Sequence, residues 1–236
     1  MQVEIWSDVV CPWCYIGKRR FESALARFAH RDQVQVTWRS FELDPNAPAI
    51  REGDNARRLA DKYGMTREQA LQANERMTRL ALAEGLEYHL DTARSGNTFA
   101  AHRLLHLAQE HGRQDALKER FMRAYFTEGA PIGVSETLVG LAEEVGLPAE
   151  DVHRVLASDE FAEAVRAEET LAAEFGINGV PFFVFDRRFG VSGAQPADAL
   201  VQVLDQAWAA AHPTGLLTPV GGGAEDATCT DEGCAI

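Results

Sequence analysis

The chain has 236 residues, 46% hydrophobic and 25% charged, which suits a globular fold and excludes a disordered or disulfide-stapled one. Its net charge of -13, from 36 acidic against 23 basic residues, disfavours phosphate backbones and anionic lipid, so neither nucleic acid nor a membrane is expected as a partner. The length fits one domain carrying an insertion, or two intimate domains.

Val3 and Ile5 alternate with Gln2 and Glu4, the pattern of a short strand ending near Trp6. After the loop Ser7 to Val10, apolar residues recur at Trp13, Ile16, Phe21, Leu25 and Phe28. With Pro12 suited to a first helical position, this predicts a helix over about 12–30. Val34, Val36 and Trp38 give a second strand ending before Pro45, and the simplest arrangement of the three elements is a parallel βαβ unit.

Residues 46–175 are rich in Ala, Leu, Glu and Arg, and predict five or six helices. Candidate starts are Thr66 with Gln69, Asn97 or Thr98, Ser135 and Ser158. Strand texture returns at Val180 to Phe185, a run suited to burial on both faces, and continues at Phe189 to Ser192 as a hairpin. Pro196 opens a final helix through Leu200, Leu204 and Trp208. Strands at both chain ends predict one sheet interrupted by a helical insertion. From Pro213 onward the composition is that of a flexible linker and tail.

No apolar run approaches the ~18 residues of a spanning helix. Glu4 and Asp8 precede the first basic residue, Lys18, which is unlike a secretory leader, so a cytoplasmic location is expected. In that compartment cysteines more often serve redox, catalytic or metal chemistry than structural bridges. Cys11-Pro12-Trp13-Cys14 falls between a strand and the start of a helix. Unpaired amides and the dipole at a helix N-terminus favour an anion, so Cys11 is expected to ionise well below the free value of about 8.5 and to attack. Cys14, one turn on, is the resolving thiol, and Pro12 preorganises the pair. A zinc site completed by the distal cysteines and a pair of inert buried thiols are the competing readings.

The segments SDVVCPWCYIGKRRFE, GVPFFVF and SGAQP together resemble the DsbA-like thioredoxin-fold oxidoreductases, in particular the FrnE-like branch, over nearly the whole chain to about Ala211. The resemblance implies an α/β thioredoxin-like fold, βαβ … ββα, with a large inserted all-helical domain. Residues 1–45 and 176–212 would form the thioredoxin-like part, 46–175 the insertion, and 213–236 a linker and Cys-containing tail. It also implies that Pro181 is the family's cis-proline beside the two thiols. Val180 would then present its backbone to an incoming polypeptide, with Pro12 and Trp13 lining the substrate surface. Trp13 stands where DsbA carries histidine, so Cys11 should be less acidic, and the pair less oxidising, than in DsbA.

Cys229 and Cys234 lie among Glu225, Asp226, Asp231 and Glu232, whose charge should raise the thiols and make them poor attackers. A linker from Pro213 to Thr228 has an r.m.s. span of roughly 20 to 24 Å, enough to bring them to Cys11 as an accessory redox pair. Metal capture by Cys229 and Cys234, or an idle tail, are the alternatives. His102, in NTFAAHRLLHLA, is a candidate substrate-groove residue beside the reading of an exposed histidine on a capped helix. Arg19 and Arg20 suit a solvated face, and Gly221 to Gly223 lack the lysine and helix of a phosphate loop.

These features predict a protein disulfide oxidoreductase or isomerase that exchanges disulfides with protein thiols and needs no cofactor. One alternative is a glutathione-dependent enzyme like the hydroxychromene-carboxylate isomerases and kappa-class transferases, which usually carry serine at the first thiol position. The other is a thiol metal-binding module.

Overall fold

A computed structural model describes residues 1–51 and 53–213. The strands β1 (Gln2–Ser7), β2 (Gln35–Ser40), β3 (Phe182–Phe185) and β4 (Phe189–Ser192) form one sheet in the order β2-β1-β3-β4. β1 runs parallel to β2, with Ile5 opposite Trp38, and antiparallel to β3, with Ile5 opposite Phe183. Helix α1 (Pro12–Arg27) makes the crossover between β1 and β2, and it ends three residues earlier than its periodicity suggested. β3 and β4 form the expected hairpin, whose turn places Asp186 and Arg187 at φ 46 and 53.

Among the described residues seven helices, rather than the expected five or six, separate β2 from β3: α2 (Asn55–Tyr63), α3 (Arg67–Ala83), α4 (Phe99–Glu110), α5 (Gln114–Phe126), α6 (Ser135–Glu144), α7 (Ala149–Ala157) and α8 (Ala162–Glu174). Helix α9 (Ala197–Ala211) follows the hairpin. Thr66 and Gln69 form a reciprocal capping box at α3. Ser135 and Ser158 do not cap: α6 begins behind Val134, and Ser158 closes α7, while α8 starts behind Phe161 at φ 63.

Side-chain alternation along β1 sends Val3 and Ile5 to one face and Glu4 and Trp6 to the other. On the first face Val3, Ile5, Phe21, Phe28, Phe183, Phe185, Leu200 and Leu204 pack between the sheet, α1 and α9. Each such side chain contributes roughly 1.5–3 kcal/mol on burial. On the second face Trp6 packs with Ala172, Ile177 and Val184, and its Nε1 donates to the carbonyl of Glu168 at 2.9 Å. The buried Glu168 carboxylate accepts from Arg39 Nη1 and the Ser40 amide, both at 2.7 Å, which fastens α8 to β2.

A second, larger core runs through α4, α5, α6 and α7, and it includes Cys11, Cys14, Tyr15 and Ile16. Helix α1 is therefore shared. Its first turn is embedded in the helical insertion and its later turns in the sheet layer.

Candidate active site

Cys11 is the N-cap of α1 and Pro12 its first residue, where the missing proline N–H costs nothing. The Cys14 amide donates to the Cys11 carbonyl at 3.0 Å, closing the turn that holds both thiols on one side. Both sulfurs are free thiols and both are buried, whereas the intervening Trp13 is 41% exposed. The Val180–Pro181 peptide is cis, and Cys11 Sγ donates to the Val180 carbonyl at 3.5 Å. Glycine at position 17 allows α1 to approach this segment, because a Cβ there would lie 2.9 Å from Pro181 Cγ. A cleft of about 1010 Å³ opens over Cys11, Pro12, Trp13 and Val180 and is also lined by Leu43 and Arg58.

The electrostatics correct the expectation of an acidic Cys11. Its thiol is pushed well up by the hydrogen bond to the Cys14 side chain, then by burial and by the charges of Cys14 and Asp8. The Cys14 backbone amide pulls the other way without prevailing. A helix start favours the thiolate only as far as solvent and neighbouring charges allow, and here a carboxylate lies three residues upstream. Burial would raise Asp8, but its hydrogen bond to His102 and that residue's charge, the Leu43 amide and Lys118 hold it below the usual carboxylate range. His102 Nε2 lies 3.3 Å from Asp8 Oδ1, and the Leu43 amide donates to Oδ2 at 2.8 Å.

His102 is therefore not in the groove and not exposed. It is fully buried on α4 beneath the loop that leads to Cys11. Arg19 and Arg20 do not form a solvated face either. Arg19 bonds Glu22 and Glu119, while Arg20 donates to Glu84 and to the Ala194 carbonyl, both at 2.6 Å.

Three residues of the site escaped the sequence reading. Tyr88 donates to the Pro12 carbonyl at 2.8 Å and stacks on Phe126 with centroids 4.5 Å apart. Asp8 stood in view only as an early negative charge. Lys118 lies on α5, fully buried, and its Nζ donates to the Ser7 carbonyl at 2.9 Å. Burial lowers Lys118 to about 8 against the opposing charges of Cys14, Asp8, Cys11 and Glu168. Cys229, Cys234 and the glycines at 221–223 lie outside the described residues. Among the described residues, no cluster of three or more His, Cys, Asp or Glu could hold a metal ion, and no helix is long and apolar enough to cross a membrane.

The family model for the DSBA-like thioredoxin domain matches residues 2–205. The crystal structure of a probable DsbA oxidoreductase from Streptomyces coelicolor is 48% identical, with a TM-score of 0.85 over 100% of this chain and 99% of that one. The cytosolic disulfide reductase DsbM from Pseudomonas aeruginosa, solved with GSH, shares the fold at 17% identity and a TM-score of 0.61, over 87% of this chain and 98% of its own. A 2-hydroxychromene-2-carboxylate isomerase shares it at 15% identity and a TM-score of 0.65, over 89% and 98%.

Proposed function

We propose, since this chain belongs to the DSBA-like thioredoxin domain family, that it is a thiol–disulfide oxidoreductase or isomerase acting on protein cysteines through Cys11 and Cys14. The observation that carries this reading is the free Cys11–Cys14 pair at the start of α1, with Cys11 Sγ against the Val180 carbonyl and a cleft above both. Cys11 is the attacking sulfur because it borders the cleft; Cys14, deeper in the first turn, resolves the mixed disulfide. Val180 and Pro181 flank the bound chain, and Pro12 and Trp13 form the rim it meets. Insulin-disulfide reduction driven by dithiothreitol tests the reading: wild type should accelerate it and Cys11→Ser should not, and equal rates for the two would remove it.

Three finer points belong to the same proposal. The chain works in the cytoplasm and lies in the FrnE-like branch. Cys229 and Cys234 relay electrons to the Cys11–Cys14 pair, so replacing both with serine should slow turnover; unchanged turnover argues instead for an idle or metal-holding tail, which zinc stoichiometry separates.

A second reading, a glutathione-dependent isomerase or transferase, is favoured by the size of the cleft and by Arg58. This cation borders the cleft and has no carboxylate partner among the described residues, so it suits an acidic small thiol. Cys14→Ser separates the two readings: disulfide exchange should halt as a trapped mixed disulfide, while isomerisation should survive.

A further inference from the structure

Helix α2 turns one face to the cleft that holds Cys11. Asn55, Arg58, Leu59 and Lys62 follow the i, i+3, i+4, i+7 spacing of a single helix face, and all four line the cleft, while Ala56 and Ala60 pack with Ala70 of α3. Arg58 and Lys62 are four residues apart, and like charges at that spacing repel and weaken a helix. Among the described residues no carboxylate is bonded to either, although the chain carries 36 acidic residues against 23 basic. A local conflict left uncompensated marks a functional face.

Arg58 is half-buried, and its Nη2 donates to Asn55 Oδ1 at 2.7 Å, which steadies the guanidinium and leaves other N–H groups for a ligand. The carboxylates of the lining do not neutralise the two cations. Asp8 is buried and bonded to His102, and Asp44 is bonded to Arg51. Asp61 is left, one acid against two cations. The remaining lining is largely apolar: Trp13, Leu43 and Tyr63 are exposed on it, and Met65 and Met77 join them. At about 1010 Å³ the cleft reaches the upper end of the range for small-molecule pockets, about 300–1,000 Å³, and is roomier than one small thiol needs.

We propose that this cleft selects client polypeptides carrying an acidic side chain and an apolar one beside the disulfide, with Arg58 and Lys62 reading the carboxylate. The inference rests on the disulfide-exchange reading and names its substrate class: Cys11 performs the exchange, and the two cations choose which chain is presented to it. A guanidinium in a half-buried site gains more from a carboxylate than a fully solvated one, because water screens the pair less. Lys62, exposed one turn on, draws acidic chains towards the cleft, and both cations repel basic ones.

The test uses peptides that each hold one disulfide and a tryptophan and differ at one flanking position, Glu in one and Lys in the other. Their reduction by dithiothreitol is followed with the full-length protein as catalyst. Wild type should reduce the glutamate peptide about tenfold faster than the lysine peptide at low ionic strength, and salt should shrink that ratio. Arg58→Gln should bring the ratio close to one, and Arg58→Glu should invert it. Arg27→Gln, which removes the same charge at the end of α1 remote from Cys11, should keep it. A wild-type ratio of one, a ratio that persists in Arg58→Gln, or one lost equally in Arg27→Gln overturns the proposal. So does an Arg58 dependence seen with glutathione disulfide and with neither peptide, which returns this cation to the small-thiol reading. Should the Arg58 variants not fold, Cys14→Ser decides: the glutamate peptide, trapped on Cys11 as a mixed disulfide, is treated with a carbodiimide. Its carboxylate should couple to Lys62 Nζ, and a product without that link overturns the proposal. Failure of the disulfide-exchange reading looks different, since Cys11→Ser would then reduce both peptides at the wild-type rates.

Discussion

Gly17 faces the ring of Pro181 so closely that a methyl group at position 17 would sit 2.9 Å from Pro181 Cγ. Glycine costs a helix interior about 1 kcal/mol relative to alanine. By helix propensity alone, Gly17→Ala should therefore stabilise α1. Overpacking typically costs about 1–3 kcal/mol, and here the obstruction is a ring held in the substrate-facing segment. Gly17→Ala is expected to lower the thermal midpoint and to reduce insulin reduction several-fold; a raised midpoint with full activity would show that the two segments separate freely.

Cys11 should alkylate in the reduced protein with a midpoint above the free-cysteine value of about 8.5, because Cys14, burial and Asp8 all oppose its ionisation. Asp8→Asn removes one of these opposing charges. The midpoint should move down, and alkylation at neutral pH should accelerate, as read by iodoacetamide rates against pH. A midpoint already below that of free cysteine in the wild type would return the dominant role to the helix terminus.

Acid should loosen the junction between α8 and the sheet. Burial alone would raise the Glu168 carboxyl, but His106, the Ser40 amide and Arg39 hold it at about 2. Its folded pKa is therefore depressed, so the stability it contributes is complete above about 4.5 and is lost as pH falls toward 2, to the order of 3 kcal/mol. Urea unfolding at a series of acid pH values should show this limb in the wild type and a shallower one in Glu168→Gln.

Tyr88→Phe removes the hydroxyl that donates to the Pro12 carbonyl and keeps the ring stacked on Phe126. A loss of about 1 kcal/mol in urea unfolding is expected, the usual net worth of a hydrogen bond. Insulin reduction should fall with it, because the turn carrying Cys11 loses its tie to the insertion.

The strands were legible because Val3, Ile5, Val36 and Trp38 alternate with polar residues, and Thr66 with Gln69 announced α3 through a local hydrogen-bond pair. Ser158 misled because a hydroxyl that can cap a helix start also suits a helix end, and residue type does not say which. Helix α2 was passed over as an individual element; its own small core is built of Ala56, Ala60 and Ala70, which carry little apolar signal. The cysteine motif stood out by spacing and by its place after a strand. The charged floor beneath it did not, since Lys118 in a periodic helix reads as solvent-facing and Asp8 as part of a loop. Both acquire meaning only when α4 and α5 fold across the start of α1.

Helix α1 changes company along its length, meeting the inserted helices with Cys14, Tyr15 and Ile16 and the sheet layer with Phe21, Ala24 and Leu25. The redox turn is consequently not a portable module. A shortened protein that joined β2 directly to β3 would keep the sulfur motif, yet bare the greasy flank of its own nucleophile helix to water. Transplanting these chemical properties to another scaffold would mean carrying the inserted helices along.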